Sequence, residues 1–201
     1  GGRFREDHFK KADKCPTCGK TGTLSGPRQF NMMFKNNVGP VDDESSLSYL
    51  RPETAQGIFT NYKNVVDSFY PDIPFGIAQQ GKAFRNEISP RDFIFRSREF
   101  EQMEIEYFIH PDKWEAEFDK WVGEIEEFLA QLGLPKNKVH QLEVPEGDRA
   151  HYSKRTIDFE YDFPIGKAEL LGLAYRTDFD LDNIQKATGK NLDYRPKDDT
   201  E

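Results

Sequence analysis

The stretch FRNEISPRDFIFRSREFEQMEIEYF, residues 84–108, decides the fold that we expect for this chain. It contains four arginines and six acidic residues, and apolar side chains recur between them. Alternation of polar and apolar residues is typical of a half-buried β-strand. The alternation covers residues 74–88 and returns over 95–109, and the Ser-Pro-Arg-Asp run at 89–92 has the composition of a turn. The sequence therefore predicts an antiparallel hairpin near the middle of the chain.

The two faces of this hairpin differ in composition. Side chains two residues apart in a strand share a face, so we expect Arg85 and Glu87 on one face of the first strand. The second strand has a polar face with an aromatic ring, and an apolar face suited to a core. The polar face carries Phe100, Gln102 and Glu104. The apolar face carries Met103, Ile105 and Tyr107. Because an arginine fork binds phosphate or carboxylate and a phenyl ring stacks on a base, the polar face suits a charged, ring-bearing ligand. The alternative is a solvated face with cross-strand ion pairs.

Helical and extended patterns alternate around the hairpin. Apolar residues at helical spacing predict a helix over 54–69 and a second one within 110–135, where Asp112 and Glu115 have the spacing of a capping box. Further strands are expected at 28–34, 139–144, 156–163 and 168–175. The order lacks βαβ regularity, so we predict an α+β fold, an antiparallel β-sheet flanked by helices.

Composition limits the class of protein. The 201 residues suit one domain, or one domain with an insertion. A net charge of −8 argues against a protein that coats nucleic acid, although a local basic patch can still hold RNA. No stretch approaches 18 apolar residues, so we expect no membrane span. Neither a signal peptide nor a cysteine framework is evident, which favours a cytoplasmic protein.

Two motifs carry a resemblance to a known family. Residues 84–108 resemble motif 2 of the class II aminoacyl-tRNA synthetases, in which an Arg-x-Glu strand, a loop and a returning strand bind ATP. RPETAQG (51–57) together with EFEQMEIE (99–106) narrows the resemblance to the homodimeric glycyl-tRNA synthetases. GKAELLGLAYRTDFDL (166–181) resembles the segment that follows in that family.

The resemblance also implies a domain organisation. Residues 1–50 form an irregular insert with the CPTCG knuckle, 51–110 the catalytic core with the hairpin, 111–150 a helical insertion, and 151–201 further core strands with a polar tail. The family's motif 1 and motif 3 have no counterpart here. We therefore expect a partial catalytic domain, truncated at both ends and weakly active or inactive alone.

Residue roles follow from the resemblance. Arg85 and Glu87 would be catalytic, with Arg85 on the α-phosphate and the substrate carboxylate, and Glu87 on the adenine amino group. The implied ATP site comprises Arg85, Asn86, Glu87, Phe95, Arg96, Ser97, Arg98, Glu99, Phe100, Glu169 and Leu170. The implied glycine pocket comprises Glu53, Phe100, Glu101, Gln102, Met103 and Glu104. The stretch from Phe95 to Arg98 would also reach the tRNA acceptor end. Glu169 would hold Mg²⁺, although the family's Gly-Trp-Gly-Glu reads Gly-Lys-Ala-Glu at 166–169.

Cys15 and Cys18, the two cysteines of the chain, have the spacing of half a zinc site. A full site needs two more ligands, and His8 is the one histidine near them in sequence. On this ligand count we expect zinc to be absent, and the alternative is a tight turn with two reduced thiols.

The function implied by the resemblance is ATP-dependent activation of glycine and its transfer to tRNA(Gly), within a larger homodimeric enzyme. One alternative is a catalytically inactive paralogue that acts as an accessory or regulatory binding module. Another is a different class II synthetase, of the threonyl, prolyl, seryl or histidyl type. Retention of Glu53, Arg85, Glu87, Phe100 and Glu104 together favours the enzyme.

Overall fold

The computed structural model describes residues 14–15, 18–23, 29–41 and 43–196. The chain divides into two compact units, which we describe separately. Unit 1 comprises Gly1–Thr54 and Gln80–Gln102, and unit 2 comprises Ala55–Gln79 and Met103–Glu201. Within the described part of the chain, no helix has the length and apolar character needed to cross a membrane.

Unit 1 contains a short two-stranded sheet. Strand β1 (Lys35–Asn37) pairs antiparallel with β2 (Leu47–Tyr49). The predicted strand at 28–34 is wrong over its described residues, since none of Gln29–Phe34 is in a strand. The side chain of Asn31 accepts a hydrogen bond from the backbone N–H of Met33 (3.0 Å), a local turn that competes with extended pairing.

The predicted central hairpin is present but shorter than expected. Strand β3 (Phe75–Phe84) pairs with β4 (Glu99–Phe108), so residues 85–98 form a long loop between them. The tight turn covers 92–95, where Asp92 and Phe93 have φ of 58° and 55°, so it overlaps the predicted turn at 89–92 only at Asp92. Backbone hydrogen bonds of 3.0 and 3.2 Å between Arg91 and Arg96 close this turn.

The first helix of unit 2 confirms its sequence pattern. Helix α1 (Ala55–Phe69) buries Ala55, Ile58, Phe59 and Tyr62, which recur at helical spacing. The Tyr62 and Phe75 rings lie 4.8 and 5.1 Å from the Phe108 ring, measured between centroids. These aromatic contacts form a small core around the helix.

A three-stranded antiparallel sheet forms the other core of unit 2. Its order is β5 (Val139–Glu143), β6 (Arg155–Phe163) and β7 (Gly166–Tyr175), which confirms the positions of the strands predicted at 139–144, 156–163 and 168–175. Helix α2 (Trp114–Gln131) belongs to the same cluster. The buried residues of that core are Phe118, Leu129, Ile157 and Phe159. A bulge in the β6–β7 register leaves Leu170 as the extra residue, because Phe159 pairs with Leu171 and Glu160 pairs with Glu169.

Two details of the helices differ from expectation. The predicted capping box at Asp112 is wrong, because Asp112 sits inside a 3₁₀ turn (Pro111–Lys113) where its N–H donates to His110 Nδ1 (3.3 Å). Helix α3 (Phe179–Thr188) was not predicted, since few apolar residues mark it. It ends at Gly189, whose φ of 67° suits glycine.

Candidate nucleotide site

Arg85 directly follows β3, and its side chain is held on two sides. Its Nε–H donates to the carbonyl oxygen of Pro52 (3.0 Å), and its guanidinium carbon lies 5.2 Å from the centre of the Phe100 ring. Its backbone N–H donates to the carbonyl of Arg98 (3.0 Å), which joins the two ends of the loop. An arginine has five N–H donors, and the contact to Pro52 uses only Nε–H. The Pro52 contact does not use the two terminal nitrogens of Arg85. They therefore suit binding of an anion next to the Phe100 ring.

Glu87 lies in the loop and not in a strand. Its backbone N–H donates to the carbonyl of Arg85 (2.7 Å), which is a tight turn, so the expected strand face shared by Arg85 and Glu87 is wrong. The Glu87 side chain is 17% exposed, and its carboxylate lies 3.4 Å from the Arg96 guanidinium. The N–H of Asn86 donates to the carbonyl of Met32 (2.7 Å) and anchors this turn.

The RPETAQG segment is fixed against the end of β3. Arg51 donates from Nε to the carbonyl of Lys82 (2.6 Å), and its own carbonyl accepts from Phe84 N–H (2.8 Å). A Cβ on Gly81 would lie 2.4 Å from Arg51 Nη2, so glycine makes room for this arginine. Thr54 is fully buried and Glu53 is half-buried. These contacts hold the Pro52 carbonyl at hydrogen-bonding distance from Arg85 Nε.

The alternation of β4 is confirmed, but the exposed face is the apolar one. Phe100 and Gln102 are half-buried, and so is Glu104 in unit 2. Met103 and Ile105 are 64% and 51% exposed, so the expectation that they lie in a core is wrong. Within unit 2, a Cβ on Gly76 would lie 3.6 Å from Ile105 Cγ2, so Ile105 lies beside a glycine.

Gln102 carries an unusual polar atom. Its side-chain oxygen is buried and has no hydrogen-bond partner among the described residues. An unpaired buried acceptor costs about 1–3 kcal/mol, so this oxygen is suited to receive a donor from a ligand. Glu101 and Met103 point away from it on the exposed face, and the structure does not bring them together with Phe100 and Gln102.

The remaining loop residues are exposed. Phe93 and Ile94 at the turn are 92% and 74% exposed, and Phe95 is 41% exposed. The Ser97 hydroxyl donates to the carbonyl of Glu99 (2.8 Å), and the Glu99 carboxylate pairs with Lys82. Arg96, Arg98 and their neighbours thus form an exposed basic loop next to Arg85.

Glu169 and Leu170 lie on β7 in unit 2. Glu169 pairs in register with Glu160, and Asp158 pairs with Gly172. A Cβ on Gly172 would lie 3.4 Å from an Asp158 oxygen and 3.5 Å from a Glu169 oxygen, so two carboxylates flank this glycine. Burial raises the pKa of Asp158, and the nearby charge of Glu160 raises it further. Mg²⁺ is usually bound through one or two carboxylates together with substrate phosphates and water, and these two carboxylates are ligands of that kind. Among described residues, no group of three or more potential metal ligands occurs.

A half-buried ion pair in unit 2, between Arg176 and Asp180, was not predicted from the sequence. Arg176 pairs with both carboxylate oxygens of Asp180 (2.8 and 2.9 Å), and its guanidinium carbon lies 3.8 Å from the Tyr152 ring centre. Burial alone would lower the pKa of Arg176, but hydrogen bonds to Asp180 and the charges of Asp180 and Glu106 outweigh burial and raise it. The i, i+4 spacing of Arg176 and Asp180 was the available clue.

The fold and the arginine–aromatic site define a class II synthetase core. The chain belongs to the tRNA synthetase class II core domain family (G, H, P, S and T), whose model matches residues 33–193. This confirms the family and the α+β fold predicted from the motifs. The structure is also similar to Giardia lamblia prolyl-tRNA synthetase in complex with prolyl-adenylate, with a TM-score of 0.61 over 75% of this chain and 31% of that chain. At 19% identity, this likeness shows the fold.

Curated relatives are glycine–tRNA ligases. The enzyme of Thermus thermophilus is 56% identical over 171 residues, 85% of this chain and 34% of its own length. The Deinococcus radiodurans enzyme is 53% identical over 181 residues, 89% of this chain and 36% of its own. The Treponema denticola enzyme is 47% identical over 200 residues, 98% of this chain and 44% of its own. The chain thus spans between about a third and a half of the length of these relatives.

Proposed function

We propose that this chain supplies the adenylation site of a glycine–tRNA ligase, as part of a larger enzyme. ATP and glycine would react there to give glycyl-adenylate and pyrophosphate, and the glycyl group would then pass to tRNA(Gly). The contact between Arg85 and Phe100, 5.2 Å from guanidinium carbon to ring centre, is the observation that carries this proposal. The similarity to glycine–tRNA ligases supports the choice of amino acid.

The site residues suit the chemistry of this reaction. The glycine carboxylate attacks the α-phosphorus of ATP, a new P–O bond forms, and the bond to pyrophosphate breaks. Both reactants are anions, so placing them together and neutralising their charge dominate catalysis. Arg85 would bridge the substrate carboxylate and the α-phosphate, while Phe100 would stack on adenine and Glu87 would accept from its amino group. No side-chain nucleophile is needed.

The resemblance implies that Glu169 would hold the Mg²⁺ ion that such enzymes use, and within unit 2 Asp158 is a second carboxylate that flanks Gly172. When bound, the ion supplies positive charge to the outer phosphates. The chain's own residues would bind and align the two substrates.

Selection of glycine requires exclusion of larger amino acids. A pocket that only attracts its substrate gains about 1–3 kcal/mol per methylene, so rejection of alanine must come from lack of space. Gln102 would offer its buried oxygen to the glycine ammonium, and Glu53 would supply negative charge. A methyl group on the substrate would then clash with the Gln102 and Glu53 side chains.

The test is protection against thermal unfolding by a non-hydrolysable glycyl-adenylate analogue, compared with its alanyl, seryl and prolyl counterparts. A ligand at about 100 times its Kd stabilises a protein by about 2.7 kcal/mol. We expect the glycyl compound to raise the melting temperature of the chain and the others to have little effect. Equal protection by all four would refute glycine selection, and no protection by any would refute the adenylate site.

We place the enzyme in the cytoplasm, with glycine and tRNA(Gly) as partners and a homodimer as the assembled state. The similarity to glycine–tRNA ligases supports the substrates, and the family resemblance supports the dimer. Sedimentation of the enzyme with tRNA(Gly) would test both the assembly and the partner.

A further inference from the structure

One polar side chain of β3, Gln79, packs against the beginning of helix α1 within unit 2. A Cβ on Gly57 of that helix would lie 2.6 Å from Gln79 Oε1 and 3.3 Å from Gln79 Nε2. Any residue larger than glycine at position 57 would therefore occupy the space that the Gln79 amide now fills. The helix backbone lies directly behind this amide, so the amide cannot retreat in that direction.

The pairing of β3 with β4 in unit 2 can be read from contacts near their outer ends. The rings of Phe75 and Phe108 stack with their centroids 5.1 Å apart. A Cβ on Gly76 would lie 3.4 Å from Cδ2 of Tyr107. Each step forward along β3 is thus matched by one step back along β4, as in an antiparallel pair.

This register places Gln79 opposite a carboxylate. Gln79 is four residues after Phe75 and Glu104 is four residues before Phe108, so the two face each other across the strands. Both are half-buried, on the side where Phe108 contacts Tyr62 of α1. Opposite side chains on one face of an antiparallel pair have Cβ atoms about 4.5–5.5 Å apart. The Gln79 amide therefore lies beside Glu104, with α1 behind it.

We propose that Gln79 is a specificity-determining residue, whose amide forms the wall of the glycine pocket beside Glu104. This assignment rests on the proposed function and on the pocket that the resemblance implies, which includes Glu104. A hydrogen atom on the substrate α-carbon fits next to the amide, whereas a methyl group needs the space that the amide fills. Because Gly57 and the helix backbone support the amide from behind, the wall does not yield to the larger substrate.

The first test is Gln79→Ala, with binding of the non-hydrolysable glycyl- and alanyl-adenylate analogues measured by calorimetric titration. One methylene is typically discriminated by about 10- to 200-fold. We therefore expect the ratio of glycyl to alanyl affinity to fall by about tenfold or more in this variant. Gln80→Ala is the matched control, because this neighbouring glutamine is exposed on the other face of β3. Its ratio should stay at the wild-type value.

A second variant separates this role from a purely structural one. Gly57→Ala puts a methyl group where the Gln79 amide lies and pushes the amide towards the substrate. Alanine favours a helix more than glycine does, so the melting temperature should not fall. The glycyl analogue should nevertheless bind about tenfold more weakly. In Gly57→Ala combined with Gln79→Ala the clash is gone, so the double variant should bind this analogue as tightly as Gln79→Ala does.

Each contrary result has a distinct meaning. Selective wild-type binding with an unchanged glycyl-to-alanyl ratio in Gln79→Ala would overturn the role of Gln79 and leave the proposed function standing. A loss of glycyl affinity in Gly57→Ala that persists in the double variant would show that the helix, and not the amide, is responsible, and would overturn it too. Failure of the wild-type chain to bind either analogue would overturn the proposed function together with this role.

Discussion

At the scale of single residues, the site depends on how Arg85 is held. The Pro52 carbonyl fixes Nε and the Phe100 ring lies beside the guanidinium, so the fork is oriented before any ligand arrives. Pre-orientation reduces the entropy lost on binding. Lysine has the same charge but no fork, and its flexible stem cannot reproduce both contacts.

Arg85→Lys is expected to weaken binding of the glycyl-adenylate analogue by about 10- to 100-fold. Hydrogen bonds to charged groups contribute about 1.5–3 kcal/mol, and about 1.4 kcal/mol corresponds to tenfold. Calorimetric titration checks this. The control is Arg91→Lys, since Arg91 is an exposed arginine of the same loop that pairs with Asp92. Equal affinities for wild type and Arg85→Lys would contradict the role of the fork.

Asp158 gives a pH dependence of stability whose sign can be worked out. Burial and then Glu160 raise its pKa in the folded protein above the ordinary 3.8. The folded state therefore favours the protonated carboxyl, and stability is lost as the pH rises through the raised pKa. Asp158→Asn removes this loss. We expect the variant to be more stable than wild type at about pH 7 and the difference to shrink towards about pH 3.

Urea unfolding at both pH values measures this difference. The control is Asp112→Asn, because the Asp112 side chain is 87% exposed. A stability gain from Asp158→Asn that stays the same at both pH values would contradict the assigned cause.

At the scale of elements, the sequence predicts which side of a helix or strand repeats apolar residues, but it does not predict where the element begins and ends. Helix α1 and strands β5–β7 follow their apolar patterns because each has one side in a core. The alternation of β4 was also predictable, but which face is buried was not. Met103 and Ile105 look like core residues in the sequence, yet they are exposed, while Phe100 and Gln102 are half-buried.

The core of the α2–sheet element should be sensitive to truncation. Phe159 on the central strand β6 is fully buried, so Phe159→Ala is expected to cost about 3–5 kcal/mol of unfolding free energy. Phe128 on α2 is 43% exposed, so the same substitution there should cost much less. Denaturant unfolding compares the two variants. Similar losses for both would show that this core is not arranged as described.

Site residues were predicted in part for a physical reason. Residue types at fixed spacing indicated Arg85 and Phe100, and the structure brings them together. The strand argument placed Glu87 wrongly because β3 ends at Phe84 and a turn follows. Hydrogen bonds from the loop to Met32 and Pro52, which are distant in sequence, determine that turn, and local patterns do not report them.

At the scale of the whole molecule, the net charge is −8, so the proposed tRNA partner would have to bind at a local basic surface. The exposed loop that carries Arg91, Arg96 and Arg98 is the basic surface adjacent to Arg85. An RNA hairpin that mimics the acceptor end of tRNA would reach this loop. Its affinity should then fall with salt in proportion to the phosphates contacted.

Arg98→Gln is expected to weaken binding of that RNA hairpin and to reduce the slope of log affinity against log salt by about 1. Lys120→Gln on α2 removes the same charge from the molecule and is the matched control, with 58% of its side chain exposed. Fluorescence anisotropy at several salt concentrations measures both slopes. If the two variants changed the slope equally, only the overall charge would matter and the loop would not be the contact.

The most direct test of the central claim is a crystal structure of the chain with the non-hydrolysable glycyl-adenylate analogue. The account predicts the adenine ring stacked on Phe100 and the phosphate-mimicking group within hydrogen-bonding distance of the Arg85 guanidinium. Density for the analogue elsewhere, with Arg85 and Phe100 still in contact only with each other and with Pro52, would contradict it.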